Sequence, residues 1–140
     1  MLVSDFKMSG QVQIALNGVI VEEVDNLVVT AGKGYVADRM KNNSTVMSHM
    51  AVGTGTTAAA AGQTALVTET GRVALASTGI SGAVVTYTAT FPAGTGTGAL
   101  TEAAVLNASS SGTMLCRTVF SAVNKGANDA MTITWTITAS

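Results

Sequence analysis

His49 is the chain's one histidine and Cys116 its one cysteine. Brought together they would make a nucleophile and its base, the imidazole taking the thiol proton before attack. The residues around them argue against this. Alternation along its strand groups His49 with Met47 and Ala51, the setting of a structural or interface side chain. Cys116 falls with Met114, Thr118 and Phe120 on what reads as a core face. Its charged neighbour, Arg117, points the other way, so nothing adjacent lowers the thiol pKa. A buried, inert cysteine is expected. One histidine excludes a two-histidine metal site, and the nearby acids are not at ligand spacing, so no metal is expected.

Gly53-Thr-Gly-Thr56 and Gly94-Thr-Gly-Thr-Gly98 have the composition of phosphate cradles. A P-loop needs a lysine that reaches the β- and γ-phosphates, and neither stretch has one. Neither has the dinucleotide-binding spacing followed by a helix and a distant acid. Both read as turns between strands, and no cofactor is expected. The acids are Asp5, Glu22, Glu23, Asp25, Asp38, Glu69, Glu102 and Asp129. Glu22 and Glu23 are adjacent on a strand, face opposite ways and cannot form a glycosidase pair by themselves. Glu69 and Arg72 straddle Gly71 at a strand entrance, within reach of a local ion pair. Arg72 and Arg117 each sit alone in an apolar strand. Two readings are open for them: exposed strand ends, or anchors to a partner, since arginine is enriched at interface hot spots. No residue takes a catalytic role, and the chain is not expected to be an enzyme.

Composition points the same way. Charged residues make up 11% of the chain, against about 25% in an average globular domain. Hydrophobic residues reach 47%, and most of the rest is Thr, Ser and Gly. A surface so poor in charge fits a protein packed against copies of itself or a larger assembly. The plainer alternative is a compact β-domain with a threonine-rich exterior. The net charge is -1, with no basic field to hold nucleic acid. A single cysteine allows no internal disulfide. The N-terminus lacks the apolar run of a signal peptide. No stretch offers the ~18 uninterrupted apolar residues of a membrane span. A soluble protein made in the cytoplasm is expected.

These residues must be positioned by short strands. Asn17-Gly18 predicts a type I′ hairpin turn, which needs positive φ at both central residues. A two-residue turn pairs Leu16 with Val19, Ile14 with Val21 and Val12 with Glu23, placing Val12, Ile14, Leu16, Val19 and Val21 on one face. Thr30 can cap a short helix that runs to about Met40, weakened by Gly32 and Gly34 and ended by Asn42-Asn43. Strands follow at 47–52, 72–76, 84–91, 100–107, 113–120 and 131–138. Ala58 to Ala61 could form a helical turn. In the last strand Met131, Ile133, Trp135 and Ile137 point inward and four threonines outward, making Trp135 the expected core anchor. About eight short strands with one short helix predict an all-β, antiparallel, jelly-roll-like β-sandwich. It is expected as a single domain over residues 11–140, preceded by an N-terminal arm over 1–10.

Thr30-Ala-Gly-Lys-Gly34, the run from Met50 to Leu66 and Glu69-Thr-Gly-Arg72 are followed by the stretch 85–98. Then come Leu100-Thr-Glu-Ala103, Met114-Leu-Cys-Arg-Thr-Val-Phe120 and Ile133-Thr-Trp-Thr-Ile137. In this order they resemble a group of tailed-bacteriophage structural proteins over most of the chain. The resemblance implies a virion component. Small proteins of this kind in short-tailed phages serve as capsid cement, or decoration, proteins, and longer ones carry the domain as a tail-fibre attachment module. The chain stops just after the domain, which favours cement over a tail or baseplate part. The expected partners are the major capsid protein and a second copy of the chain, most simply as a homodimer, with no nucleic acid and no membrane. The expected location is the capsid surface, after synthesis in the host bacterial cytoplasm. A carbohydrate-binding sandwich is disfavoured by the 4% aromatic content. The family supplies no catalytic residue.

Overall fold

A computed structural model describes residues 6–140. It is all-β with one short helix. The elements are β1 (Met8–Leu16), β2 (Val19–Val28), α1 (Thr30–Asn42), β3 (His49–Gly53), β4 (Glu69–Ala74), β5 (Ser77–Ser81), β6 (Val84–Phe91), β7 (Gly98–Leu106), β8 (Met114–Lys125) and β9 (Met131–Ala139). The nine strands form one sheet in the order β4-β3-β7-β8-β2-β1-β9-β6-β5. Every pairing is antiparallel. The two facing layers expected of a sandwich are the two halves of this curled sheet.

Two corners make the curl. β2 pairs with β1 along most of its length and reaches β8 only through Leu27 and Val28. β4 and β5 lie at opposite ends of the order yet are separated in sequence only by Leu75 and Ala76. The Leu75 N–H bonds the carbonyl of Ser48, before β3, and the Ala76 N–H bonds that of Thr88 in β6. The chain thus leaves one half of the sheet for the other within a single bend, as strands do at sandwich corners.

The hairpin turn forms as expected, with Asn17 at φ 50° and Gly18 at φ 82°. The register beyond it is corrected by a bulge at Ile14/Ala15. Leu16 still faces Val19, but Ile14 faces Glu22 and Val12 faces Val24. The shift sets Val24 rather than Glu23 beside buried Val12, while Glu22 comes opposite buried Ile14 and stays partly exposed. The bulge turns Glu23 outward to accept a hydrogen bond from Gln13 at 3.0 Å. Val19 and Val21 are left exposed near the turn, contrary to the expected apolar face.

The arm expected over 1–10 is shorter. Residues 1–5 lie outside the described residues, Lys7 exchanges two backbone hydrogen bonds with Ser140, and Met8 opens β1. β5 is an added strand that Ser77-Thr-Gly-Ile-Ser81 did not announce, because it has no apolar alternation. In α1, Val29 occupies the N-cap position without a side-chain cap, and Thr30 is the first helical residue. The Thr30 N–H is satisfied by the carbonyl of Ala61 instead. Asn43 ends the helix in the left-handed conformation at φ 53°. Gly32 has a packing reason: a Cβ there would lie 2.0 Å from the carbonyl oxygen of Leu115. Its absence lets the helix rest on β8.

The main core fills the inside of the curl. Val12, Ile14, Phe91, Ile133 and Trp135 from one half meet Met50, Val52, Leu100, Val105 and Cys116 from the other. Trp135 is fully buried, as the alternation of β9 requires. A second apolar cluster lies on the outer face of β3, β7 and β8. There Ala51, Ala104, Leu106 and Met114 are covered by Val29 and Leu66. Central β7 and β8 are therefore buried on both faces.

Candidate functional site

The outer face of β3, β4, β7 and β8 brings together Glu69, Arg72, Glu102 and Arg117. Register sets Arg72 opposite Ala51, Ala51 opposite Ala104, and Ala104 opposite Arg117. One row on, Glu69 and Glu102 both pair with Gly53. Small residues thus separate two acids and two arginines on one face, and residues 54–68 fold over it.

Glu102 and Arg117 are both fully buried. Arg117 donates from Nε and Nη2 to Oε1 of Glu102 at 3.1 and 2.9 Å. The same carboxylate accepts backbone N–H bonds from Gly55 and Thr68, both 2.8 Å, and from Val67 at 2.9 Å. Arg117 Nη1 donates to the Thr57 carbonyl at 2.9 Å and to Gln63 Oε1 at 3.0 Å. The ion pair therefore fastens both ends and the middle of the covering segment. Burial by itself pushes the Glu102 pKa up. The bonds from Thr68, Val67, Arg117 and Gly55 outweigh it and hold the carboxyl below its ordinary value.

This geometry explains Gly53-Thr-Gly-Thr56. A Cβ on Gly53 would approach the Thr68 carbonyl to 2.1 Å, and one on Gly55 would approach Glu102 Oε2 to 2.5 Å. The loop cradles an anion, but the anion is the chain's own carboxylate. Gly94-Thr-Gly-Thr97 forms the expected turn, and Gly98 opens β7. Gly96 of the turn, at φ 62°, packs under Gly71, whose added Cβ would lie 2.8 Å from the Gly96 Cα.

Arg72 forms the expected pair with Glu69, bidentate at 2.7 and 3.0 Å. Its Nη1 also donates to the carbonyls of Ala108 and Ser111, each at 2.9 Å, tying β4 to the turn after β7. Neither arginine is an exposed strand end. Arg117 is enclosed and presents no guanidinium to a partner, and the Arg72 side chain is only 10% exposed. The anchor reading of Arg117 is corrected for that reason: its strand is buried on both faces, so its charge had to be neutralised within the chain.

Cys116 and His49 do not meet. Cys116 shares a face with its partner Val105, whereas His49 shares one with its partner Leu106, and adjacent residues face opposite sides of the sheet. Burial pushes the Cys116 thiol pKa far up. His49 Nδ1 lies 2.8 Å from the hydroxyl of Ser48. Among the described residues no three His, Cys, Asp or Glu groups gather to hold a metal ion. None of the described helices is long and apolar enough to cross a membrane.

Sequence reasoning passed over Glu102 and Lys125. Lys125, 2% exposed, donates to the Pro92 carbonyl at 2.9 Å. The signal for Glu102 was present: one acid in the apolar run 100–106 and one base in the apolar run 114–120. Opposite charges alone in two adjacent buried strands call for each other.

What remains for other molecules is a largely uncharged exterior. Two grooves flank α1. One, of about 590 Å³, is lined by Phe6, Met8, Val36, Ala37 and Met40 with Lys7 and Lys33. The other, of about 570 Å³, lies between α1 and the β5–β6 hairpin, lined by Tyr35, Val36, Val46, Ile80 and Tyr87 among others. Phe6, Met40, Val46 and Ile80 are each more than half exposed. On the outer face of the opposite half, threonines of β9 meet threonines of β6 in the pairs Thr132–Thr90, Thr134–Thr88 and Thr136–Thr86. Comparisons of the chain with protein-family models, with curated proteins and with solved structures found no match.

Proposed function

We propose that this chain is a virion structural protein of a tailed bacteriophage. In this reading it is a capsid cement protein that binds the outside of the assembled shell and bridges neighbouring major capsid protein subunits. The observation that carries the reading is where the polar chemistry goes. Glu102, Arg117 and Arg72 are spent on holding the chain's own segments, and the exterior carries few charges, scattered among threonine, serine and exposed apolar side chains. Such a surface suits close packing against a protein lattice. The ordered motifs that resemble phage structural proteins support it as well. Met50 to Leu66, Glu69 to Arg72, Leu100 to Ala103 and Met114 to Phe120 are the segments that build the Glu102–Arg117 node and its cover.

The mechanism is mass action. A ligand that binds only the assembled lattice stabilises that lattice. The contacts fall to the apolar side chains around α1 and the threonine face rather than to Arg117. The protein carries out no catalysis, and it works on the capsid surface after synthesis in the bacterial cytoplasm. The test is to add purified protein to shells that lack it, count bound copies, and follow shell resistance to heat. Saturation at many copies with increased resistance is expected. Occupancy confined to one vertex rejects cement in favour of a tail or baseplate part, and no binding rejects both.

A further inference from the structure

The two ends of the nine-strand order are finished differently. β4 carries the Glu69–Arg72 pair, and Arg72 fastens it to the turn that contains Ala108 and Ser111. Charge and cover are how natural edge strands avoid pairing with other chains. β5 has neither. All five of its residues are exposed, Ile80 at 78%. No charged residue occurs anywhere in 73–101, which includes the strand and both its flanks. Among the described residues β5 is hydrogen-bonded to β6 alone, so alternate N–H and C=O groups on its outer side are turned to solvent.

The geometry points to β5 as the edge through which two copies of this chain pair, antiparallel, across a twofold axis at Gly79. The occupant is a second copy because the strand reads nearly alike in both directions. Centring Ser77-Thr-Gly-Ile-Ser81 on Gly79 sets Ser77 opposite Ser81 of the second copy. It sets Thr78 opposite Ile80, β-branched against β-branched on one face, a favourable cross-strand pair. Glycine meets glycine at the axis, where two backbones must approach. A twofold interface has to be self-complementary, and a stretch with no charge brings no like charges together across the axis. Thr78 and Ile80 share a face with Tyr87 and Val85, their partners on β6. That face is a wall of the groove beside α1. The second copy's Ile80 therefore arrives at the rim of an apolar groove and covers exposed surface on both copies.

The pairing is independent of the capsid reading and is tested without shells. Sedimentation equilibrium of the full chain over a wide concentration range is expected to show a monomer–dimer equilibrium. Ile80→Lys places a charge on the pairing edge and should weaken dimerisation by about tenfold or more, equivalent to ~1.4 kcal/mol. Its melting temperature should be unchanged, since Ile80 is largely exposed. A second measurement does not depend on that variant. Gly79→Cys in a Cys116→Ser background should form a disulfide-linked dimer on oxidation. Paired antiparallel residues lie about 4.5–5.5 Å apart between Cα atoms, within the span a disulfide bridges. Gly62→Cys, on an exposed loop, should cross-link far less. A monomer at every concentration, unaltered dimerisation of Ile80→Lys, or equal cross-linking at 79 and 62 overturns the assignment. Should Ile80→Lys misfold, the cross-linking comparison decides.

Discussion

Replacing Glu102 by alanine should be among the most damaging single changes in this chain. The carboxylate accepts five hydrogen bonds, three from backbone N–H groups of residues 55, 67 and 68 and two from Arg117. Its removal leaves the fully buried guanidinium without a counter-charge. Breaking one side of a buried pair costs about 3–5 kcal/mol. Small domains hold only about 5–15 kcal/mol in total. For a chain of this size the loss corresponds to a fall in melting temperature of roughly 10–20 °C. The assay is urea denaturation of wild type, Glu102→Ala, Arg117→Met and the double variant Glu102→Leu/Arg117→Met. The double variant should be clearly more stable than the sum of the single losses implies, because it buries no unpaired charge. Protease sensitivity within residues 54–68 should rise in both single variants. A loss below about 1 kcal/mol, the scale of an ordinary substitution, would refute the view that this pair fixes the covering segment to the core. Strict additivity in the double variant would refute the coupling.

Acid should weaken the same node. Glu102 has a folded pKa below its unfolded value, so its contribution is fully present above the unfolded carboxyl pKa and lost as pH falls through the folded one. The urea midpoint should drop across that acidic window, and less steeply in Glu102→Gln. Trp135→Ala empties a fully buried site on β9 and should cost ~3–5 kcal/mol; wild-type melting would mean the face assignment of β9 is wrong. Two glycines in α1 should behave oppositely under calorimetry. Gly32→Ala pushes a Cβ into the Leu115 carbonyl and should destabilise by about 1–3 kcal/mol or more, whereas Gly34→Ala meets nothing within 4 Å and should stabilise by roughly 0.5–1 kcal/mol. The Cys116 thiol, fully buried with its pKa pushed up, should react with a thiol reagent only as the protein unfolds, which stopped-flow labelling in rising urea would show.

Sequence alone determined the elements whose information is local. Period-two alternation in 131–138 and 84–91 is a direct consequence of burying one face of a pleated strand, and it named Trp135 as core. Asn17-Gly18 specified its turn because few residue pairs accept positive φ twice running. The Glu69–Arg72 pair was legible because its partners are three residues apart. Tertiary structure decided the rest, for physical reasons that no local window contains. The bulge at Ile14/Ala15 brings Val24 rather than Glu23 to buried Val12, a register that the hairpin turn by itself does not encode. β5 is a strand only because β6 offers it an edge. Gly32, a weak helix former by propensity, is needed because β8 passes beneath it. Glu102 and Arg117 are 15 residues apart and the segment they hold is a further 34 to 60 away. Their roles became defined when strand register placed both charges on one face and burial made each the other's counter-charge.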